Sequence, residues 1–303
     1  MFKNVFTFLL LISIEISVGQ TLYKNQNYSE VNKTTHTYSS QGNKTLLLDF
    51  YKAKQNEQTT PLIIYVHGGG FSGGKRDESE IVSFATKLAQ YGYAVASVSY
   101  QLTMKGIGFG CNVNTDKKIE AINTASNDVN LAVKYILENN NKFKIDTTKI
   151  VLSGSSAGAE TVLNMVYTYK DGVLSPDFSY AGVIGMAGAI TTLSNINENS
   201  AIPTQLFHGT GDRLVPYNIA PHHYCTPDSS GYLMLFGSKA IAKRLSGLGT
   251  SYYLYTIEGG SHEWASLPIT QCFDEIIDFI YNDVLETESK RQTIRTINSV
   301  SPN

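Results

Sequence analysis

The stretch Lys149-Ile150-Val151-Leu152-Ser153-Gly154-Ser155-Ser156-Ala157-Gly158 passes from an apolar run, through two glycines flanking a serine, into residues of helical character. Lys149 to Ser153 reads as a buried strand, and Ala157 to Tyr169 as a helix behind it. Between them lies a G-x-S-x-G pattern in the strand–turn–helix setting that pattern requires. A strand that reverses sharply into a helix leaves no room for Cβ atoms beside the serine, so glycine stands on both sides. The turn pushes the Ser156 hydroxyl outward and aims a helix N-terminus at any anion forming there. Alone the pattern is weak, because serine at a helix N-cap is routine.

Working outward, further apolar runs have strand length: Thr45 to Tyr51, Leu62 to His67, Tyr93 to Tyr100, Ala181 to Ala187, Gln205 to His208 and Tyr252 to Ile257. Helical patterns fall between and after them, at Glu78 to Tyr91, Lys117 to Asn139, Ser238 to Leu248 and Leu267 to Leu285. Strands alternating with helices at this spacing predict βαβ units, hence an α/β fold with a mainly parallel sheet covered on both faces. Nothing in the pattern between Ala187 and Pro203 leaves space for a large inserted cap. No repeat or long linker divides the chain, so residues 20–285 are expected to form one α/β domain. Residues 286–303 are polar and aperiodic and read as a loose tail.

The 303 residues are 42% apolar and 17% charged, with 24 Lys plus Arg against 26 Asp plus Glu for a formal charge of −2. That composition is too apolar for disorder, and no basic block offers a nucleic-acid surface. Residues 1–19 have the form of a secretory signal peptide. Lys3 gives the charged end, Val5 to Ile14 the apolar run, and Ser17-Val18-Gly19 the small residues before cleavage. The run is about half of what a membrane span needs, so no stable insertion is expected. An oxidising compartment permits one disulfide among three cysteines. Cys272 shares a helical apolar face with Phe273, Ile276, Ile277 and Ile280 and is expected as a buried thiol; Cys111 and Cys225 sit in loop-like stretches and are paired here.

Ligands of open α/β sheets bind at the carboxyl ends of the strands. There, after Pro61 to Val66, comes His67-Gly68-Gly69-Gly70-Phe71. Three consecutive glycines expose backbone N–H groups, which stabilise an oxyanion when they lie about 3 Å from it. A serine nucleophile needs a base, and the base an orienting carboxylate, in the chain order serine, acid, histidine for this fold. His262, in Glu258-Gly259-Gly260-Ser261-His262, follows the last strand, and Asp212, in Gly209-Thr210-Gly211-Asp212, follows the strand before. Both satisfy the order and the strand-end rule.

With these motifs the chain resembles the α/β-hydrolases of the esterase and lipase group that carry an HGGG loop (carboxylesterases and hormone-sensitive-lipase-like enzymes), from Pro61 to Trp264. The resemblance implies Ser156 as nucleophile with Asp212 and His262, an oxyanion hole from the N–H groups of Gly69, Gly70 and Ala157, and a bracing role for His67. It departs from hormone-sensitive-lipase-like members, which commonly have Asp where Ser155 stands, and from many relatives with Arg where Gln101 stands.

Other polar groups read more plainly. His222-His223 with Asp228 is a poor metal set, because adjacent histidines point apart in most backbones. Glu263 is too close in sequence to reach the neighbouring imidazole. His208 reads as a support for the Asp212 turn and Asp128 as structural. No metal or cofactor is implied. The expected activity is hydrolysis of short-chain or carbohydrate-linked esters, of acetyl or feruloyl type, outside the cytosol through an acyl-enzyme. A lipase for longer acyl chains, a peptidase of the same fold and a non-catalytic binding protein are the alternatives. Asn27, Asn32 and Asn43 head Asn-x-Ser/Thr sequons.

Overall fold

The computed structural model describes residues 22–41, 44–169, 172–286 and 289–299. Its strands are Val31–Gln41 (β1), Lys44–Ala53 (β2), Thr60–Val66 (β3), Ala94–Val98 (β4), Ile145–Ser155 (β5), Gly182–Met186 (β6), Ala189–Ile190 (β7), Thr204–Gly209 (β8), Ile219–Pro221 (β9), Met234–Gly237 (β10), Tyr252–Glu258 (β11) and Gln292–Asn298 (β12). Nine of them form one sheet in the order β1-β2-β4-β3-β5-β6-β8-β11-β12. The pairs β1–β2 and β2–β4 are antiparallel, and every later pair is parallel. This is the mainly parallel α/β architecture that the alternation predicts.

The period-2 geometry of a strand sends neighbouring side chains to opposite faces, and β3 shows the result. Leu62, Ile64 and Val66 enter one core with the helices Thr115–Glu138, Ala157–Tyr167 and Ser238–Gly247. Ile63 and Tyr65 enter the other, against the helices Ser79–Gln90 and Phe273–Phe279. All seven residues of β3 are buried, as they must be in a sheet covered on both sides. Asn114 caps the helix Thr115–Glu138 by accepting from the Asp116 N–H at 2.7 Å.

Three features differ from the sequence reading. The tail expected to be loose contains β12, which runs parallel to β11 from Gln292 to Asn298. Its side chains are almost all exposed, so no apolar period marks it; backbone pairing holds it. Arg291, at its entry, is clamped by Asp278 at 2.8 Å and by the buried Asp283 at 2.5 Å. The helix expected as one piece from Leu267 to Leu285 is broken at Cys272 (φ −122°, ψ 32°), into Pro268–Gln271 and Phe273–Phe279, and ends in a π-turn over Ile280–Leu285. Finally, β7, β9 and β10 form a separate small antiparallel sheet beyond the carboxyl edge. The signal-peptide reading of residues 1–19 and the Asn43 sequon lie outside the described residues.

Candidate active site

Ser156 sits where β5 ends and the helix Ala157–Tyr167 begins, with φ 50° and ψ −121°. A non-glycine residue at positive φ costs of order 1–3 kcal/mol and persists only where its surroundings hold it. Here Ser156 N–H donates to Met186 O at 2.8 Å, and Glu160 N–H returns to Ser156 O at 2.9 Å. The flanking glycines are demanded by close approach. A Cβ on Gly158 would lie 2.1 Å from Val66 O, and one on Gly154 would lie 2.3 Å from Gly158 O. The helix thus presses directly on the end of β3.

Two loops, after β8 and β11, complete the arrangement. His262 follows β11 in a short 3₁₀ turn, His262–Ala265, and its Nε2 is 2.8 Å from Ser156 Oγ. Its Nδ1 is 2.7 Å from Asp212 Oδ2. Asp212, after β8, is fully buried, and all its contacts come from donors. Its Oδ1 accepts from the N–H groups of Leu214 at 2.8 Å and Val215 at 3.0 Å, while His208 Nε2 reaches Oδ2 at 3.3 Å. Burial alone would raise this carboxyl; hydrogen bonds from His208 and His262 outweigh it and hold the pKa well below the usual carboxylate range. Asp212 is therefore an anion that fixes the proton of His262 on Nδ1 and leaves Nε2 facing Ser156 as an acceptor. The structure brings together Ser156, His262 and Asp212, three residues spread over 106 positions.

The glycine loop lies across the same cleft. Gly69 and Gly70 take φ values of 112° and 58°, and a turn in which Ser72 N–H and Gly73 N–H both donate to Gly69 O fixes them. Among the described residues, the N–H groups of Gly69, Gly70 and Ala157 donate to no protein acceptor. His67 braces the loop: its Nδ1 meets Gly68 O at 2.7 Å, and its ring stacks on Tyr100 at 4.5 Å. Tyr100 in turn donates to His67 O at 3.0 Å. The cleft has a volume of about 1000 Å³ and is bordered by Gly68 to Gly70, Ser156, Ala157, Glu160, Phe109, His222 and Leu267.

Residues 48–180 match the family BD-FAE. The chain is 26% identical over 189 residues to gut esterase 1 of Caenorhabditis elegans, covering 60% of this chain and 33% of that protein. It is 28% identical over 148 residues to secreted lipase 5 of Gibberella zeae, covering 48% and 26%. In fold it is similar to the apo form of esterase 2 from Thermogutta terrifontis, with a TM-score of 0.61 and 16% identity over 85% of this chain and 97% of that one. The chain shares the α/β-hydrolase fold of that esterase. It spans about a third or less of the length of the curated relatives it matches.

Around this site the remaining polar candidates have identifiable partners. Glu263 accepts from Ser261 N–H at 3.0 Å and from the Ser261 hydroxyl, and leaves its neighbour's ring to Asp212. His208 spans Ser238 Oγ at 2.8 Å and Val215 O at 3.1 Å, supporting the Asp212 turn as the sequence suggests. Asp128 holds Gln101 through its backbone N–H at 2.8 Å and side chain at 3.0 Å. Among the described residues no group of His, Cys, Asp and Glu is arranged to hold a metal ion. Cys111 and Cys225 are joined in a disulfide with Cα atoms 5.3 Å apart, and Cys272 is a buried thiol. That bridge ties the loop carrying Phe109 to the segment carrying His222 and His223, so it shapes one wall of the cleft.

Sequence reasoning passed over two residues at that wall. Glu160 and Lys118 lie on helices, where a charged residue ordinarily faces water, yet they are 2% and 0% exposed. Burial, reinforced by the charge of Asp212, pushes the Glu160 carboxyl up to about 8. A signal was present in Ala157-Gly158-Ala159-Glu160-Thr161-Val162-Leu163, a helix start with no polar face to receive a glutamate.

Proposed function

We propose that this chain is a secreted serine carboxylesterase that hydrolyses short-chain or carbohydrate-linked esters, of acetyl or feruloyl type, through an acyl-enzyme. The reading rests on one observation, the unbroken relay from Ser156 Oγ through His262 to Asp212 at 2.8 and 2.7 Å. In the proposed cycle Ser156 Oγ attacks the ester carbonyl carbon while His262 Nε2 takes its proton. Asp212 stabilises the imidazolium without accepting that proton. The carbonyl oxygen becomes an anion facing Gly69, Gly70 and Ala157, whose N–H groups donate to no protein acceptor among the described residues; one such donor is typically worth about 10²–10³ in turnover. His262 then protonates the leaving alcohol, and a water deprotonated by the same ring releases the acid and restores Ser156.

Preference for short or soluble esters is supported by the open cleft and by its polar border of Glu78, Glu80, Glu160, His222 and His223. Secretion is supported by the signal-like residues 1–19 and by the Cys111–Cys225 disulfide, a bond that persists in oxidising compartments. Among the described residues no helix is long and apolar enough to cross a membrane.

Hydrolysis of p-nitrophenyl esters from acetate to palmitate, by the wild-type chain and by Ser156→Ala, tests the proposal. Activity concentrated on short acyl chains and abolished in the variant is the expected result. A preference for palmitate would replace it with a lipase.

A further inference from the structure

The relay uses neither Glu160 nor His222, yet both border the cleft that holds Ser156. Glu160 lies one helical turn beyond the serine and is 2% exposed, and its Oε1 is buried without a hydrogen-bond partner. An unpaired buried carboxyl oxygen is costly, and folds keep such a group where a ligand completes it. His222 Nε2 lies 3.8 Å from Glu160 Oε1. That is beyond hydrogen-bond reach.

The other side of the imidazole fixes what Nε2 presents. Lys118 Nζ, fully buried, donates to Gly231 O at 2.9 Å and lies 3.4 Å from His222 Nδ1. An ammonium has only protons to offer, so Nδ1 accepts and the ring proton sits on Nε2. Burial and the nearby charges of His223 and Lys118 hold His222 well below its ordinary pKa, which keeps the ring neutral in this tautomer. Nε2–H and Glu160 Oε1 therefore face each other as donor and carboxyl oxygen. An oxygen atom about 2.8 Å from both fits between them at an angle of roughly 85°.

We infer that Glu160 and His222 form a receptor for a hydroxyl group of the ester substrate, placed in the cleft beside Ser156. The inference rests on the esterase reading and deepens it. A hydroxyl accepts from Nε2–H and donates to an oxygen of Glu160, and because it both donates and accepts it suits either protonation state of that carboxyl. An alkyl group in the same place leaves both polar atoms unpaired and dry. A site built around a substrate hydroxyl discriminates strongly against the analogue that lacks it. The hydroxyl is carried by the acyl group or by the alcohol, and the chemistry of recognition is the same for both.

Two matched pairs of esters separate these sources. The acyl pair is p-nitrophenyl butyrate and p-nitrophenyl 3-hydroxybutyrate; the alcohol pair is cyclohexyl acetate and trans-2-hydroxycyclohexyl acetate. Each kcat/KM is normalised to the ester's rate of alkaline hydrolysis. Wild-type protein is expected to favour the hydroxylated member of one pair by at least about tenfold. That preference should fall to near unity in Glu160→Leu and in His222→Phe and be partly retained in Glu160→Gln, whatever happens to the absolute rates. A purely structural role for Glu160 would lower both members of a pair alike. Should Glu160→Leu fail to fold, His222→Phe and Glu160→Gln decide the matter. Wild-type turnover without preference in either pair, or a preference that survives both Glu160→Leu and His222→Phe, overturns the inference and leaves the esterase reading standing. Absence of turnover on all these esters overturns both.

Discussion

Replacing Asp212 by Asn changes two oxygens into one oxygen and one NH₂ with almost no change of shape. The backbone N–H groups of Leu214 and Val215, at 2.8 and 3.0 Å from Oδ1, admit only an acceptor there. The amide nitrogen is thereby forced to the Oδ2 position, where it meets His262 Nδ1 at 2.7 Å. Two donors cannot share that contact. The ring must move its proton to Nε2, which then points a hydrogen at Ser156 Oγ, where an acceptor is needed. A wrong tautomer of this kind in a Ser–His–Asp relay lowers kcat by about 10⁴, equivalent to about 5 kcal/mol of transition-state stabilisation. The assay is kcat for p-nitrophenyl butyrate with wild-type and Asp212→Asn protein, together with near-UV circular dichroism to establish that the fold is kept. Turnover within tenfold of wild type in a folded variant would refute the assignment of Asp212 and the argument from its donors.

Other consequences can be measured separately. Cys111→Ser/Cys225→Ser opens a cross-link spanning 114 positions and should cost about 5 kcal/mol in urea unfolding by the chain-entropy relation, with a looser cleft seen as a raised KM; an unchanged midpoint would contradict this. Glu160 has a folded pKa raised to about 8, so its contribution to stability is present at low pH and lost as pH climbs from about 4.5 through 8. Glu160→Gln should therefore gain in Tm relative to wild type when pH is raised from 5 to 8.5, and a Tm difference independent of pH would argue against a buried neutral carboxyl. Asp212 has the opposite sign: its depressed pKa contributes stability that fades only below about pH 4. Wild-type protein should lose Tm more steeply below that pH than Asp212→Asn, and equal acid slopes would refute the claim.

The parallel centre of the sheet is readable from sequence because burial on both faces demands near-continuous apolar runs, and β3, with every residue buried, is the clearest case. The turn at Ser156 is readable because Gly154 and Gly158 stand where a Cβ would collide with backbone, a steric demand that leaves a mark in composition. Strands at the edges leave no such mark. β12 is exposed along nearly its whole length, and the clamp on Arg291 comes from Asp278 and Asp283, residues that read as ordinary helix-surface acids. The break at Cys272 is equally silent, since the apolar spacing of Phe273, Ile276 and Ile277 continues the helix pattern and the run's one proline, Pro268, stands at its start and not at the break. For the site, strand ends and chain order point to Asp212 and His262, whereas Glu160 and Lys118 are defined by where their helices meet the small sheet and the Phe109 loop. That is tertiary information, and periodicity does not carry it.

The central claim is that Ser156 is a nucleophile activated by His262 and supported by Asp212. Reaction with a fluorophosphonate probe, followed by peptide mass spectrometry, addresses it most directly. The account predicts a single covalent adduct on the peptide containing Ser156, formed by wild-type protein, abolished in Ser156→Ala and strongly slowed in His262→Ala. Absence of an adduct in folded wild-type protein, or labelling that persists in Ser156→Ala, would contradict it.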